Sequence, residues 1–240
     1  MLYLQSDGGL FRGRQIPARC LCMIVLLTGL SLIWAAGQAA APDHSAFDGV
    51  LLRNVQQGFV DYAGINADPA FARFLTSLDD TRAEDLEDGH ARRAFFINAY
   101  NAFAIRGILD GYAPSSWLAR YTYFKRRKYA LMGQPVSLRD LETRQLIPEG
   151  DPRIHFAIVC ASISCPRLAS RAYVPEKLEE QLDVAARAFI NDSTRNRYDV
   201  QRKIAFVSRI FDWYGEDFSR AAGSVQKYLS AYASDPATAA

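Results

Sequence analysis

The stretch "GHARRAFFINAYNAFAIRGILDGYAP", Gly89 to Pro114, decides the fold. Phe95, Phe96, Ala99, Ala102 and Phe103 recur at helical spacing and make one apolar face, while Ile97, Ala104, Ile105 and Ile108 cover much of the rest. A helix that is apolar nearly all round belongs in a core rather than on a surface. Gly111 and Pro114 stop it. Two amides, Asn98 and Asn101, interrupt the apolar surface three residues apart, so they share a face. A buried amide without partners costs about 1–3 kcal/mol, so both need polar partners brought in from elsewhere. They are either a network tying loops to the helix or the lining of a pocket, where they would orient a substrate or an imidazole.

Working outward, "DPAFARFLTSL" places Phe71, Phe74, Leu75 and Leu78 on one helical face, with Asp68 as N-cap and Pro69 at the first helical position. Before it, a short helix around Phe47–Val55 leads into an extended piece ending at Tyr62. After the central helix, "YTYFKRRKYALMGQPVSL" reads as two strands about a turn near Met132–Gln134. In "SLRDLETRQLI" Ser137 caps a helix and Asp140 sits three residues on, close to a capping box. "RIHFAIVCAS" reads as a short apolar strand. "VPEKLEEQLDVAARAFIND" is an amphipathic helix with Leu178, Leu182, Ala185, Ala186 and Phe189 inward. "RYDVQRKIAFVSRIFDWYGEDF" gives a further hairpin and an aromatic turn, and "SVQKYLSAYA" closes as a helix. Helices interleaved with antiparallel hairpins make the class α+β: a single domain with a buried central helix on a small antiparallel sheet.

The N-terminus follows another logic. Arg12, Arg14 and Arg19 precede the apolar run "CLCMIVLLTGLSLIWAA" and the small residues "GQAAAP", the pattern of a secretory signal peptide over residues 1–39. The alternative is an uncleaved inner-membrane anchor, since the run is near the lower length for spanning. Either way residues 40–240 are expected to be exported, to a periplasmic or extracellular space. The whole chain carries 28 basic and 26 acidic residues; removing the signal takes three Arg and one Asp and leaves 25 of each. A neutral chain gives no electrostatic case for nucleic acid. A membrane contact is expected only through the signal segment, if it stays uncleaved.

Export also takes Cys20 and Cys22, leaving Cys160 and Cys165 in "DPRIHFAIVCASISCP". Two close thiols in an oxidising compartment are a disulfide candidate. Zinc would want four ligands, and only these two cysteines with His44, His90 and His155 remain, so no metal and no cofactor is expected. A nucleophilic thiolate needs a cationic or imidazole neighbour, and Arg153, His155 and Arg167 are near in sequence. His155, with an ordinary pKa near 6.5, suits a general base. In one regular strand, however, His155 and Cys160 would face opposite ways.

"AFFINAYNAFAIRGIL", "VSLRDLE", "DPRIHFAIVCASISCPRL" and "SRIFDWYGEDF", in this order, resemble the domain of unknown function family 547, from about Phe71 to Phe218. The family often has His after the glutamate matching Glu142; this chain has Thr143. The resemblance implies shared polar positions at Asn98, Tyr100, Asn101, Glu142, His155, Cys160, Ser162, Cys165, Trp213 and Asp217. Fusions of relatives to glutaredoxin-like domains imply thiol chemistry by association alone. A more distant likeness is to the papain and transglutaminase class, in which a buried helix packs on an antiparallel sheet; the matching helix here has no cysteine.

Three functions follow as expectations. The first is an exported thiol-dependent hydrolase or acyltransferase, with Cys160 as nucleophile, His155 as base, Asn98 and Asn101 as orienting or oxyanion donors and Glu142 in support. In that reading Tyr100, Ser162, Trp213 and Asp217 bind the substrate. The second is a non-catalytic binding or scaffold domain with a structural Cys160–Cys165 disulfide. The third is a thiol–disulfide exchange protein.

Overall fold

A computed structural model describes residues 42–160, 164–199 and 201–234. The signal-peptide reading and Ser162 therefore fall outside the described residues. Helix α1 (Ser45–Asn54) runs into a hairpin, β1 (Val55–Gln56) and β2 (Phe59–Val60), turned at Gln57 and Gly58, both with positive φ. Short α2 (Tyr62–Ala67) leads to α3 (Pro69–Asp80), whose N-cap Asp68 accepts the Ala70 amide ahead of Pro69, as the sequence predicts. The extended piece expected to end at Tyr62 is in fact the hairpin, and helix begins at that residue.

Helix α4 (Gly89–Leu109) is the axis of the domain, buried along nearly its whole length. Its larger neighbours are helical, and Phe103 stacks on Tyr129 of the second hairpin at 4.7 Å. At Gly107 an added Cβ would come within 2.6 Å of the Tyr129 hydroxyl and 2.7 Å of the Tyr123 ring. The missing side chain lets both tyrosines lie against the helix, where Tyr123 Oη donates to the Ala104 carbonyl at 2.8 Å.

Beyond α4 come α5 (Trp117–Tyr121), a π-turn over Thr122–Arg126, and the second hairpin, β3 (Tyr129–Leu131) with β4 (Gln134–Val136). Met132 and Gly133, both with positive φ, make its two-residue turn. The first half of the stretch expected as a strand is thus helical. The Ser137 capping box forms as predicted and starts α6 (Leu138–Leu141), which widens into a second π-turn over Glu142–Leu146.

The segment "RIHFA" is a correction. The sequence reading makes it a strand; the structure makes it one helical turn, α7 (Ile154–Ala157), followed by extended chain. Asp151 and Pro152 start it: the amides of Ile154 and His155 bond back to the carbonyls of Asp151 and Pro152. Asp151 Oδ1 also accepts the Arg153 amide at 3.0 Å. Turn chemistry at the start outweighs the strand preference of the apolar run. Arg153 then locks the turn to Asp151 (2.6 Å), Glu179 (2.5 Å) and Asp183 (2.8 Å).

The chain ends with α8 (Leu178–Ile190), a third hairpin of β5 (Arg197–Asp199) and β6 (Ile204–Phe206), and helices α9 (Ile210–Trp213), α10 (Gly215–Ala222) and α11 (Val225–Tyr232). The class is α+β, and among the described residues the β content lies in three separate two-stranded hairpins rather than one sheet under the central helix. Two apolar clusters result. One surrounds α4 and takes Ile154 and Ala157; the other joins α8 to α9, α10 and α11 and takes Phe156. Helix α7 sits where the clusters meet, and His155 is buried there.

Candidate functional site

Each of the two amides of α4 both donates to and accepts from backbone. Asn98 Nδ2 donates to the Tyr173 carbonyl at 2.7 Å, and its Oδ1 accepts the Tyr173 amide at 2.9 Å. Asn101 does the same one turn on, donating to the Ala157 carbonyl at 2.9 Å and accepting the Val159 amide at 3.0 Å. Each side chain imitates a strand's edge and satisfies a passing segment that no strand pairs. This is the loop-tying role of the two considered from sequence. It leaves neither amide pointing at a substrate in this arrangement.

His155 is 2 % exposed and takes an acid as its side-chain partner. Its Nε2 lies 3.0 Å from Asp217 Oδ2, and its buried Nδ1 has no hydrogen-bond partner among the described residues. The ring stacks on Tyr214 at 3.8 Å and meets the edge of Phe218 at 5.7 Å. Burial pulls its pKa below the ordinary value, and Asp217 opposes that pull. Asp217 is held in turn by Arg220, 3.0 Å from its other oxygen.

Tyr214 carries the network forward. Its hydroxyl donates to Glu142 Oε1 at 2.5 Å, and burial first, then the Glu142 charge, raises its pKa. Glu142, at the start of the second π-turn, is 5 % exposed, with Arg139 Nη1 at 3.8 Å. Buried Tyr100 has its pKa raised well above the ordinary value by burial and secondarily by Glu142. One chain of contacts therefore runs from Arg220 through Asp217, His155 and Tyr214 to Glu142.

Glu142, Tyr214 and Tyr100 line a cleft of about 950 Å³. Cys160 and Trp213 line it too, and its outer walls are Trp117, Arg120, Tyr121, Phe124, Lys125 and Arg139. The cleft lies at the upper end of the range for small-molecule sites, roughly 300–1,000 Å³. Of the residues expected from sequence, it gathers Tyr100, Glu142, Cys160 and Trp213, with His155 and Asp217 behind Tyr214. Asn98 and Asn101 do not line it.

Cys160 and Cys165 are joined by a disulfide with Cα atoms 5.9 Å apart. Cys160 is half-buried at the cleft, whereas Cys165 is 5 % exposed. Arg195 Nε bonds the Cys165 carbonyl at 3.1 Å, and Ser208 Oγ the Ser164 carbonyl at 2.8 Å, fixing the end of the loop. Among the described residues no group of three or more His, Cys, Asp or Glu side chains converges as metal ligands.

Sequence reading missed Tyr214, Arg139 and the 117–125 wall. Tyr214 had a signal: Asp217 and Phe218 follow it three and four residues later, a shared helical face. The wall had none, because its residues meet the cleft only through the packing of α5.

Neither a curated protein nor a solved structure matches the chain. Residues 84–190, from the turn before α4 to the end of α8, match the family model described as "Protein of unknown function, DUF547", and over that span the chain is similar to that family.

Proposed function

We propose that the chain is exported and that its domain is a non-catalytic binding module, with the ligand seated in the Glu142–Trp213 cleft. The observation that carries this reading is the Cys160–Cys165 bridge, which leaves no thiolate at the cleft. The two-bond clamps of Asn98 and Asn101 support it, because they turn both amides to backbone rather than to the cleft. A buried carboxylate with a phenol donor, walled by aromatic rings, is a polar anchor in an apolar cleft, as binding sites are built. The leader over residues 1–39 supports export, and export suits the bridge.

The test is a thiol count on denatured mature protein. It is expected to show no free thiol before reduction and two after. In the chain from residue 40, Cys160→Ala/Cys165→Ala is expected to destabilise by about 2 kcal/mol, the loop-closure value for so short a loop. Free Cys160 in protein from its native compartment would sink the reading.

A second reading, the thiol-dependent hydrolase or acyltransferase, is favoured by one observation: His155 is oriented by Asp217 through Nε2 while Nδ1 has no partner among the described residues. It requires a reduced bridge. Iodoacetamide labelling of Cys160 in the folded protein without reductant, abolished in His155→Gln, would favour it over the first.

A further inference from the structure

We propose that the α5 wall, Trp117 to Arg126, is a surface that seats on an anionic lipid bilayer. Helix α5 has no buried residue, so core packing does not explain its apolar side chains. Trp117 is 80 % exposed, Leu118 62 % and Tyr121 41 %. At 100° per residue, Arg120, Trp117, Tyr121 and Leu118 fall within an arc of roughly 160° on one side of the helix. Lys125 joins that side through the π-turn, its Nζ 5.7 Å from the Tyr121 ring centre, and Trp117 and Tyr121 are stacked at 6.1 Å.

The charge on this face is uncompensated. Arg120, Lys125 and Arg126 are exposed and make no ion pair among the described residues. Glu142, the carboxylate that shares the cleft with Arg120 and Lys125, is buried and takes Tyr214 and Arg139, while Asp110 takes Arg106 and Arg127 and Asp140 takes Lys128. Exposed indole, phenol and leucine beside free cations is the composition of an interfacial anchor, apolar groups entering the acyl boundary and cations meeting anionic headgroups. A soluble polyanion would engage the cations but leave Trp117 and Leu118 in water, which is why the bilayer is the occupant assigned. Among the described residues no helix is long and apolar enough to cross a membrane, so this contact is peripheral. It differs from the sequence expectation, in which only residues 1–39 touch lipid. It does not depend on what the cleft binds, although Trp117, Arg120, Tyr121 and Lys125 also wall that cleft and would turn its mouth to the bilayer.

The experiment is vesicle co-sedimentation with bromolipid quenching, in the full chain and in the chain from residue 40. The shorter chain keeps every residue of both apolar clusters and lacks the apolar leader. Vesicles of phosphatidylcholine alone are compared with vesicles containing about one-third phosphatidylglycerol, at low and high salt. The residue-40 chain is expected to bind the anionic vesicles, to ignore the neutral ones and to release at high salt. Arg120→Gln/Lys125→Gln is expected to lower partitioning roughly 25-fold, about five-fold per cation. Trp117→Ala/Leu118→Ala is expected to lose most of the bromolipid quenching. All four positions are exposed, so the variants should keep the wild-type circular dichroism. Equal binding to neutral vesicles overturns the proposal, as does unchanged partitioning of the charge variant. Heparin binding as tight as vesicle binding, with Trp117→Ala/Leu118→Ala unaffected in both, also overturns it and makes the face a polyanion site.

Discussion

Replacing Asn101 with alanine removes a donor and an acceptor from the interior of the domain at one stroke. The Ala157 carbonyl and the Val159 amide, now bonded at 2.9 and 3.0 Å, would lose their partners beside the central helix. Each buried backbone group left unpaired costs about 1–3 kcal/mol, so the pair predicts a loss of roughly 2–6 kcal/mol, about 4 in mid-range. Against a typical domain stability of about 5–15 kcal/mol that is a large fraction. For a domain of this size about 4 kcal/mol is roughly 8–16 °C in Tm. Urea unfolding of the chain from residue 40 measures it, with the slope m expected to hold and the midpoint to fall. Asn101→Asp sharpens the test. It keeps an acceptor for the Val159 amide but faces the Ala157 carbonyl with oxygen and buries a charge, so it should be at least as damaging at neutral pH. A loss below about 1 kcal/mol for Asn101→Ala would refute the clamp and return Asn101 to the candidates for contact with a ligand.

The remaining predictions concern other parts of the fold. His44 is 4 % exposed with neither ring nitrogen hydrogen-bonded among the described residues, and burial pushes its pKa down to about 4. Its folded value lies below the unfolded one near 6.5, so the unfolded chain binds the extra proton first. Stability should therefore be full above about pH 6.5 and fall as pH drops toward 4, by at most about 3 kcal/mol from this group. His44→Phe should flatten that slope in urea titrations at a series of pH values; an unchanged slope would clear His44 as its source. Tyr214→Phe keeps the ring stacked on His155 but takes the hydroxyl from Glu142, and should destabilise by about 1–3 kcal/mol while the His155 imidazole resonances barely move. Large shifts in those resonances would mean the hydroxyl, not the ring, positions the imidazole. Gly107→Ala drives a methyl toward the Tyr129 hydroxyl and Tyr123 ring, and should cost about 1–3 kcal/mol, visible as a lowered urea midpoint.

Local sequence signals were sufficient where structure is locally caused. The buried helix follows from its all-round apolar surface, α3 from Asp68 and Pro69, α6 from the Ser137 capping box, and the second hairpin turn from Met132 and Gly133. "RIHFA" was misread because periodicity cannot tell a buried strand from one buried helical turn. The deciding bonds came from Asp151 and Pro152 just ahead of it. The candidate site was legible as a set of residue types and not as a set of contacts. That a histidine, a glutamate, an aspartate and two cysteines belong together came from their motifs. That His155 answers to Asp217 rather than Cys160, and that Tyr214 links it to Glu142, depends on two segments more than sixty residues apart.

By itself, then, the sequence determined the α+β class, the central helix with its two amides, and the pairing candidates at Cys160 and Cys165. These rest on spacing, caps and composition, which act over a few residues. Only the tertiary structure decided that Asn98 and Asn101 hold backbone, that Cys160 opens on the Glu142 cleft, and that α5 lays an aromatic, cationic face along its rim. Each is a partnership between segments far apart in the chain, fixed by which buried polar groups must find each other once the two apolar clusters close.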